Sequence, residues 1–211
     1  VRIKIVDNTA TFILSAQSFL NALDQVRAEQ WELQGLGNWT VRSLAGHTAR
    51  SIITVENYLA NDAPSEVTVP TAEAYYAAIT ASTSTPADAA AVEARGIAAG
   101  EWLGSDPVAR VSTVLFHVRE LLDSQPQNRA VSVIDGLVIP LGEYLRTRVF
   151  ELVVHSIDLS RAIGIRSEVP VEALTCAATL ASGIAITRGR GEDLLLALTG
   201  RSPLPDGFSV V

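Results

Sequence analysis

The sequence predicts an all-α fold, a single helical bundle spanning residues 1–211. Hydrophobic residues make up 48% of the chain and charged residues only 18%, the composition of a core-forming globular protein. Apolar residues recur at helical spacing in several long segments, and Pro or Gly punctuates the ends of those segments. Against this, only residues 131–133 read as a short strand.

The elements follow in order. Residues 10–34 read as a first helix, because Phe12, Phe19, Leu20, Leu23 and Val26 recur near helical spacing. "GLGNW" at 35–39 breaks it. Thr40 is a good N-cap for a second helix to about residue 60, with Trp39 and Leu44 at the staple positions. A Pro-containing connection covers 61–73, and a short helix is expected over 72–82. "TSTPADAA" supplies a start signal for a helix over 87–103. "GSDP" stops that helix and starts another over 108–125. A loop at 126–136 carries the short strand. Pro140 opens a helix that ends at Gly164, and Pro170 opens a last long helix to about Arg188. A short helix and an extended tail complete the chain.

The net charge is −7, which argues against a nucleic-acid or anionic-membrane partner. Lys4 is the single lysine among the 16 basic residues, an arginine dominance that either suits anion recognition or reflects a GC-rich genome. No run of 18 apolar residues occurs, so no membrane-spanning helix is expected. The start "VRIKIVDNTATFIL" lacks the layout of a secretory signal; it also lacks an initiator Met, and a trimmed N-terminus is expected. Cys176 is the single cysteine, so no internal disulfide forms, consistent with a cytoplasmic protein.

The helix "RVFELVVHSIDLSRA" at 148–162 raises the functional question. At about 100° per residue, Leu145, Val149, Leu152, Ser156, Leu159 and Ile163 share one face, an ordinary core stripe. Tyr144, Arg148, Glu151, His155 and Asp158 form a second stripe roughly 80° away, and Phe150, Val153 and Ile157 lie on the other flank. A helix apolar on both flanks is buried widely, so the polar stripe should line an interior or a cleft. Glu151 and His155 leave the same face one turn apart, a spacing that suits either two ligands on one ion or a simple ion pair. The other histidines are His47, which follows an unusual mid-helix Gly46, and His117; each alone reads as a core or surface histidine ahead of a ligand. Gly46 suggests that something approaches the backbone of the second helix closely. Cys176 lies among apolar neighbours and reads as a small buried hydrophobe.

Three segments, "NWTVRSLAGHTARS", "YLRTRVFELVVHSIDLSRAIG" and "DLLLALTGRSPLPDGFSV", together resemble the mycothiol-dependent maleylpyruvate isomerase family, of the DinB-like superfamily. The likeness runs over about residues 10–211. It implies a DinB-like four-helix bundle with a divalent metal, usually zinc, held by two His and one Glu. Those ligands fall on His47, Glu151 and His155. It also implies a basic residue near the metal for an anionic substrate or thiol, with Arg95 and Arg148 as the candidates. Asp158 and Ser156 are candidate partners for the ligand imidazoles. The characterised isomerases carry a further C-terminal α/β domain; the expectation here is that it is absent, since the chain ends soon after "DGFSVV".

The implied function is a thiol-dependent isomerase or S-transferase. In it, a metal-activated thiolate from mycothiol or a similar small thiol adds to an electrophilic small molecule. The alternative is a non-catalytic metal-binding bundle acting as a ligand-binding or regulatory module. An apolar bundle face would also suit a homodimer.

Overall fold

The computed structural model describes residues 8–82 and 86–211, apart from the side chains of 81–82 and 86–89. The N-terminal stretch 1–7 and part of the "TSTPADAA" start signal lie outside these residues. The described residues form helices α1 (Asn8–Leu23), α2 (Val41–Leu59), α3 (Ala72–Ser82), α4 (Pro86–Trp102), α5 (Pro107–Asp123), α6 (Leu141–Ile163), α7 (Val171–Thr187) and α8 (Gly191–Leu198). Two small antiparallel hairpins accompany them: β1 (Gln34–Leu36) with β2 (Trp39–Thr40), and β3 (Ala130–Ser132) with β4 (Val138–Pro140).

Four helices close a ring. α6 packs against α1 and α2, and α5 packs against the same two from the other side. Their inward faces carry Phe12 and Phe19, Leu44 and Ile52, Leu115 and Val118, and Leu145, Val149 and Leu152, all buried. Each such side chain contributes about 1.5–3 kcal/mol by leaving water. The α6 stripe expected from periodicity is the one that is buried, from Leu145 through Ser156 to Ile163. Outside the ring, α4 lies on α2, α7 lies on α6, α3 bridges α6 and α7, and α8 packs on α7. No helix among the described residues is long and apolar enough to cross a membrane.

The first helix is shorter than its apolar spacing suggests: α1 ends at Leu23, not at residue 34. The backbone that follows has other obligations. The carbonyls of Trp31 and Leu33 accept the N–H groups of Arg42 (3.0 Å) and Val41 (2.8 Å), the first donors of α2. A helix through 31–34 would point those carbonyls along its own axis and leave the start of α2 short of acceptors. Gln30 fixes the turn, its side-chain amide donating to the Ile163 carbonyl at the end of α6 (2.9 Å). "GLGNW" is accordingly the β1–β2 hairpin.

Thr40 caps α2 as expected, its hydroxyl accepting the Ser43 N–H at 3.2 Å. Thr40→Ala should cost about 1 kcal/mol, read as a lower denaturant midpoint at unchanged slope. An unmoved midpoint would mean that the Trp31 and Leu33 carbonyls alone satisfy this helix end.

Gly46 has a structural reason. A Cβ placed there would sit 2.2 Å from the Gly100 nitrogen and 2.3 Å from the Ala99 carbonyl carbon. Gly96 on α4 likewise lies under the Trp39 indole, at 2.7 Å from a would-be Cβ. The close approach inferred from sequence is therefore the backbone of α4 itself.

The expected strand near 131–133 is present one residue earlier, as β3, paired with β4 in the register Val131↔Ile139. Asp135 (φ 58°) and Gly136 (φ 70°) make its tight turn. Gly164 ends α6 in the left-handed conformation, φ 75°.

Candidate metal centre

The α2–α6 contact brings His47 of α2 against Glu151 and His155 of α6. One ligand atom from each lies within 4.8 Å of the other two. The histidine rings meet edge-on with centroids 4.9 Å apart, and Trp39 lies against His47 at 4.5 Å. His47 and Glu151 are held in forms that suit a cation, and His155 must give up a proton to bind one.

His47 is neutral. Burial, reinforced by the charge of His155, pushes its pKa down to about 4. Its Nδ1 is buried and meets no hydrogen-bond partner among the described residues. A buried ring nitrogen without a partner is costly in a finished core and ordinary in a metal site.

Glu151 is ionised. Burial opposes the charge, but the hydrogen bond with His155 and the Arg148 guanidinium outweigh it and hold the pKa near 2. Its Oε1 accepts the Tyr76 hydroxyl at 2.6 Å, and its Oε2 lies 3.4 Å from His155 Nε2.

His155 is oriented by Asp158, whose Oδ2 lies 3.2 Å from Nδ1. That leaves Nε2 facing Glu151 and His47, the carboxylate–imidazole arrangement seen behind metal-bound histidines. Burial disfavours its charged form, yet Asp158 and Glu151 prevail and raise the pKa to about 9. Of the two orienting residues expected from sequence, Asp158 fills the role for His155, while Ser156 is buried on the core face.

A proton and a divalent cation therefore compete for His155 Nε2. At neutral pH one proton must leave on metal uptake, since His47 is already neutral and Glu151 already ionised. Affinity is expected to rise about tenfold per pH unit up to about 9 and to fall as pH drops. Calorimetry in buffers of different ionisation enthalpy should record about one proton released. Release of none would show that His155 is not the displaced group.

The centre opens on a cavity of about 320 Å³ lined by His47, Glu151, Tyr75, Ile134, Asp135 and three arginines, Arg50, Arg95 and Arg148. Arg148 stands one turn before Glu151, donates from Nε to Thr147 Oγ1 (3.0 Å) and lies over the Tyr144 ring (4.9 Å). Arg95 reaches the rim from α4 and is exposed. Burial and the neighbouring Arg95 charge both pull the Arg50 pKa down. Among the described residues, none of the three arginines is in an ion pair. Arg50, Arg95 and Arg148 line one cavity, and guanidinium groups are the side chains that suit an anionic partner.

Residues 12–160 match the family described as mycothiol maleylpyruvate isomerase N-terminal domain. The chain belongs to that family. No curated protein and no solved structure matches it. The mycothiol maleylpyruvate isomerase N-terminal domain match takes in all of α2–α5, most of α1 and α6, and every side chain of the centre and of the three-arginine cavity. α7, α8 and the tail follow it.

Within this member of the mycothiol maleylpyruvate isomerase N-terminal domain family, all five site residues expected from the sequence come together. His47, Glu151 and His155 form the donor cluster, and Arg95 and Arg148 line the cavity it faces. His117 stands apart, half-exposed on α5, 3.4 Å from Glu56. Cys176 lines a different cavity, with Thr11, Glu143 and Arg146, and burial raises its thiol pKa. Sequence reasoning missed Arg50 and Tyr76. Arg50 was within reach, since it stands three residues after His47 and so on the same helix face. Tyr76 arrives from α3, and no spacing links it to α6.

Proposed function

We propose that this chain is a divalent-metal-binding, thiol-dependent enzyme of the mycothiol maleylpyruvate isomerase or S-transferase type. It would act in the cytoplasm on an anionic, electrophilic small molecule. The observation that carries the reading is the cluster of His47, Glu151 and His155 beside a cavity lined by Arg50, Arg95 and Arg148. A non-catalytic bundle would use the same three ligands but would seal them, whereas here the donors face open volume.

Two histidines and one carboxylate suit a zinc ion with an open position. When bound, such an ion brings the pKa of a thiol toward neutrality. The chain's own residues do the rest. Glu151 supplies one negative charge, and Asp158 keeps the His155 ring turned toward it. Arg148, Arg50 and Arg95 draw in an anionic group and hold it over the donors. Trp39 covers one face of His47 and shields it from water.

Cys176 is the single cysteine of the chain and lies in another cavity, so the thiol is a small-molecule cosubstrate, mycothiol or one like it. A thiolate that adds to an activated double bond and leaves again isomerises it. One that stays, while the neighbouring carbon takes up a proton, forms a thioether, which is thiol transfer.

The test is anion binding to the zinc-loaded protein, with maleylpyruvate as the probe, in Arg95→Ala and Arg148→Ala. Each lost charge-assisted contact should weaken binding about 10–100-fold while zinc content stays the same. Unchanged binding in both variants would remove the arginines from the site's function.

A further inference from the structure

We infer that Tyr76 is a positioning residue that restricts Glu151 to one-oxygen coordination and so keeps a metal position open for the thiol. The inference rests on the metal centre proposed above. It starts from how the two oxygens of Glu151 are divided. Oε2 faces the imidazole of His155 at 3.4 Å, on the side of the donor cluster. Oε1 accepts the Tyr76 hydroxyl at 2.6 Å. A phenol carries one proton. Its other acceptor in range, the Thr147 carbonyl, is at 3.5 Å, the outer limit for a hydrogen bond, so the proton belongs to the carboxylate.

The tyrosine cannot follow if the carboxylate rotates. Its ring is buried and meets Phe150 and Tyr75 edge-on, with centroids 5.5 and 5.6 Å away. The helix that carries it is tied to α6 at its start. Glu143 accepts the Ala72 N–H at 2.9 Å, and Glu73 pairs with Arg146 at 2.7 Å. Presenting both oxygens to an ion would draw Oε1 away from that short charge-assisted bond and leave the buried hydroxyl with the Thr147 carbonyl at 3.5 Å as its other acceptor. With Glu151 limited to Oε2, the chain supplies three donor atoms. A zinc ion held by His47, Glu151 and His155 would then keep one of its four preferred positions free, and two of those residues, His47 and Glu151, line the arginine cavity.

The experiment uses the full chain and the conservative variant Tyr76→Phe, which keeps the ring packing. Zinc affinity is measured by chelator competition, and coordination by the visible absorption of the cobalt(II)-loaded protein. That absorption weakens as coordination number rises. The expected result is a 10–100-fold loss of zinc affinity, the range for removing an outer partner of a ligand, together with a weaker cobalt band. A purely structural tyrosine would shift the thermal midpoint and leave both readouts where they were. Wild-type affinity and spectrum in Tyr76→Phe would overturn the inference while leaving the metal centre standing. Wild-type protein that binds no zinc would overturn both. If the variant does not fold, X-ray absorption on zinc-loaded wild type decides: one carboxylate oxygen at bonding distance supports the assignment, and two refute it.

Discussion

His155→Ala is expected to leave a folded bundle that no longer retains zinc. The side chain supplies one of three donors and is itself aimed by Asp158, so its loss leaves two ligands, one on α2 and one on α6. Two protein ligands do not hold a structural or catalytic zinc in the usual range of sites. Affinity should therefore fall by more than about 100-fold, beyond the effect of removing an outer partner. The fold should persist because the four-helix core lies on the other stripe of α6, where Leu152, Ser156 and Leu159 are buried whatever happens at 155. Elemental analysis of the purified variant beside wild type and His47→Ala gives the answer. About one zinc per chain in wild type and almost none in either variant is the expected pattern. Stoichiometric zinc in His155→Ala would show that the ion sits elsewhere.

Gly46→Ala should be among the most destabilising single changes available in this chain, although alanine is the better helix former by about 1 kcal/mol. The added Cβ would lie 2.2 Å from the Gly100 nitrogen, and what it meets is backbone rather than a side chain that can swing aside. Relief requires α4 to move off α2, and overpacking of this kind costs about 1–3 kcal/mol, occasionally more. With the effect at about 3 kcal/mol, the thermal midpoint should drop by roughly 6–12 °C. Because α4 also carries Arg95 and the Gly96 contact with Trp39, anion binding should weaken too. His47 is placed by α2 and α6, so zinc should still bind. A variant as stable as wild type would show that α4 is free to shift.

Much of the architecture was legible because its signals are local. The Thr40 cap and the double stripe of α6 lie within one or two helical turns, where spacing alone decides geometry. Gly46 pointed to a close approach without saying what approached. Where distant segments compete for the same backbone groups, spacing failed. Val26 continues the apolar rhythm of α1, yet α1 stops at Leu23 because the carbonyls of Trp31 and Leu33 are needed at the start of α2. The β3–β4 hairpin was half visible: β3 showed as a strand, while its partner ran into the Pro140 helix signal. The site divides in the same way. Glu151 and His155 share a helix face and were found by geometry, whereas His47 needed the family pattern to join them. Tyr76 is fixed by the docking of α3, a tertiary fact with no trace in nearby sequence.

The ligands come from two helices far apart along the chain, His47 on α2 and the Glu151–His155 pair on α6. An ion held by all three is thus a removable cross-link that closes a loop of about a hundred residues. It clasps one of the four helix pairs whose contacts close the ring. In the denatured chain those ends are free to drift apart, so every molecule of zinc taken up counts against that freedom. The loaded protein should unfold as a tethered chain, and a chelator should undo the tether without breaking a covalent bond.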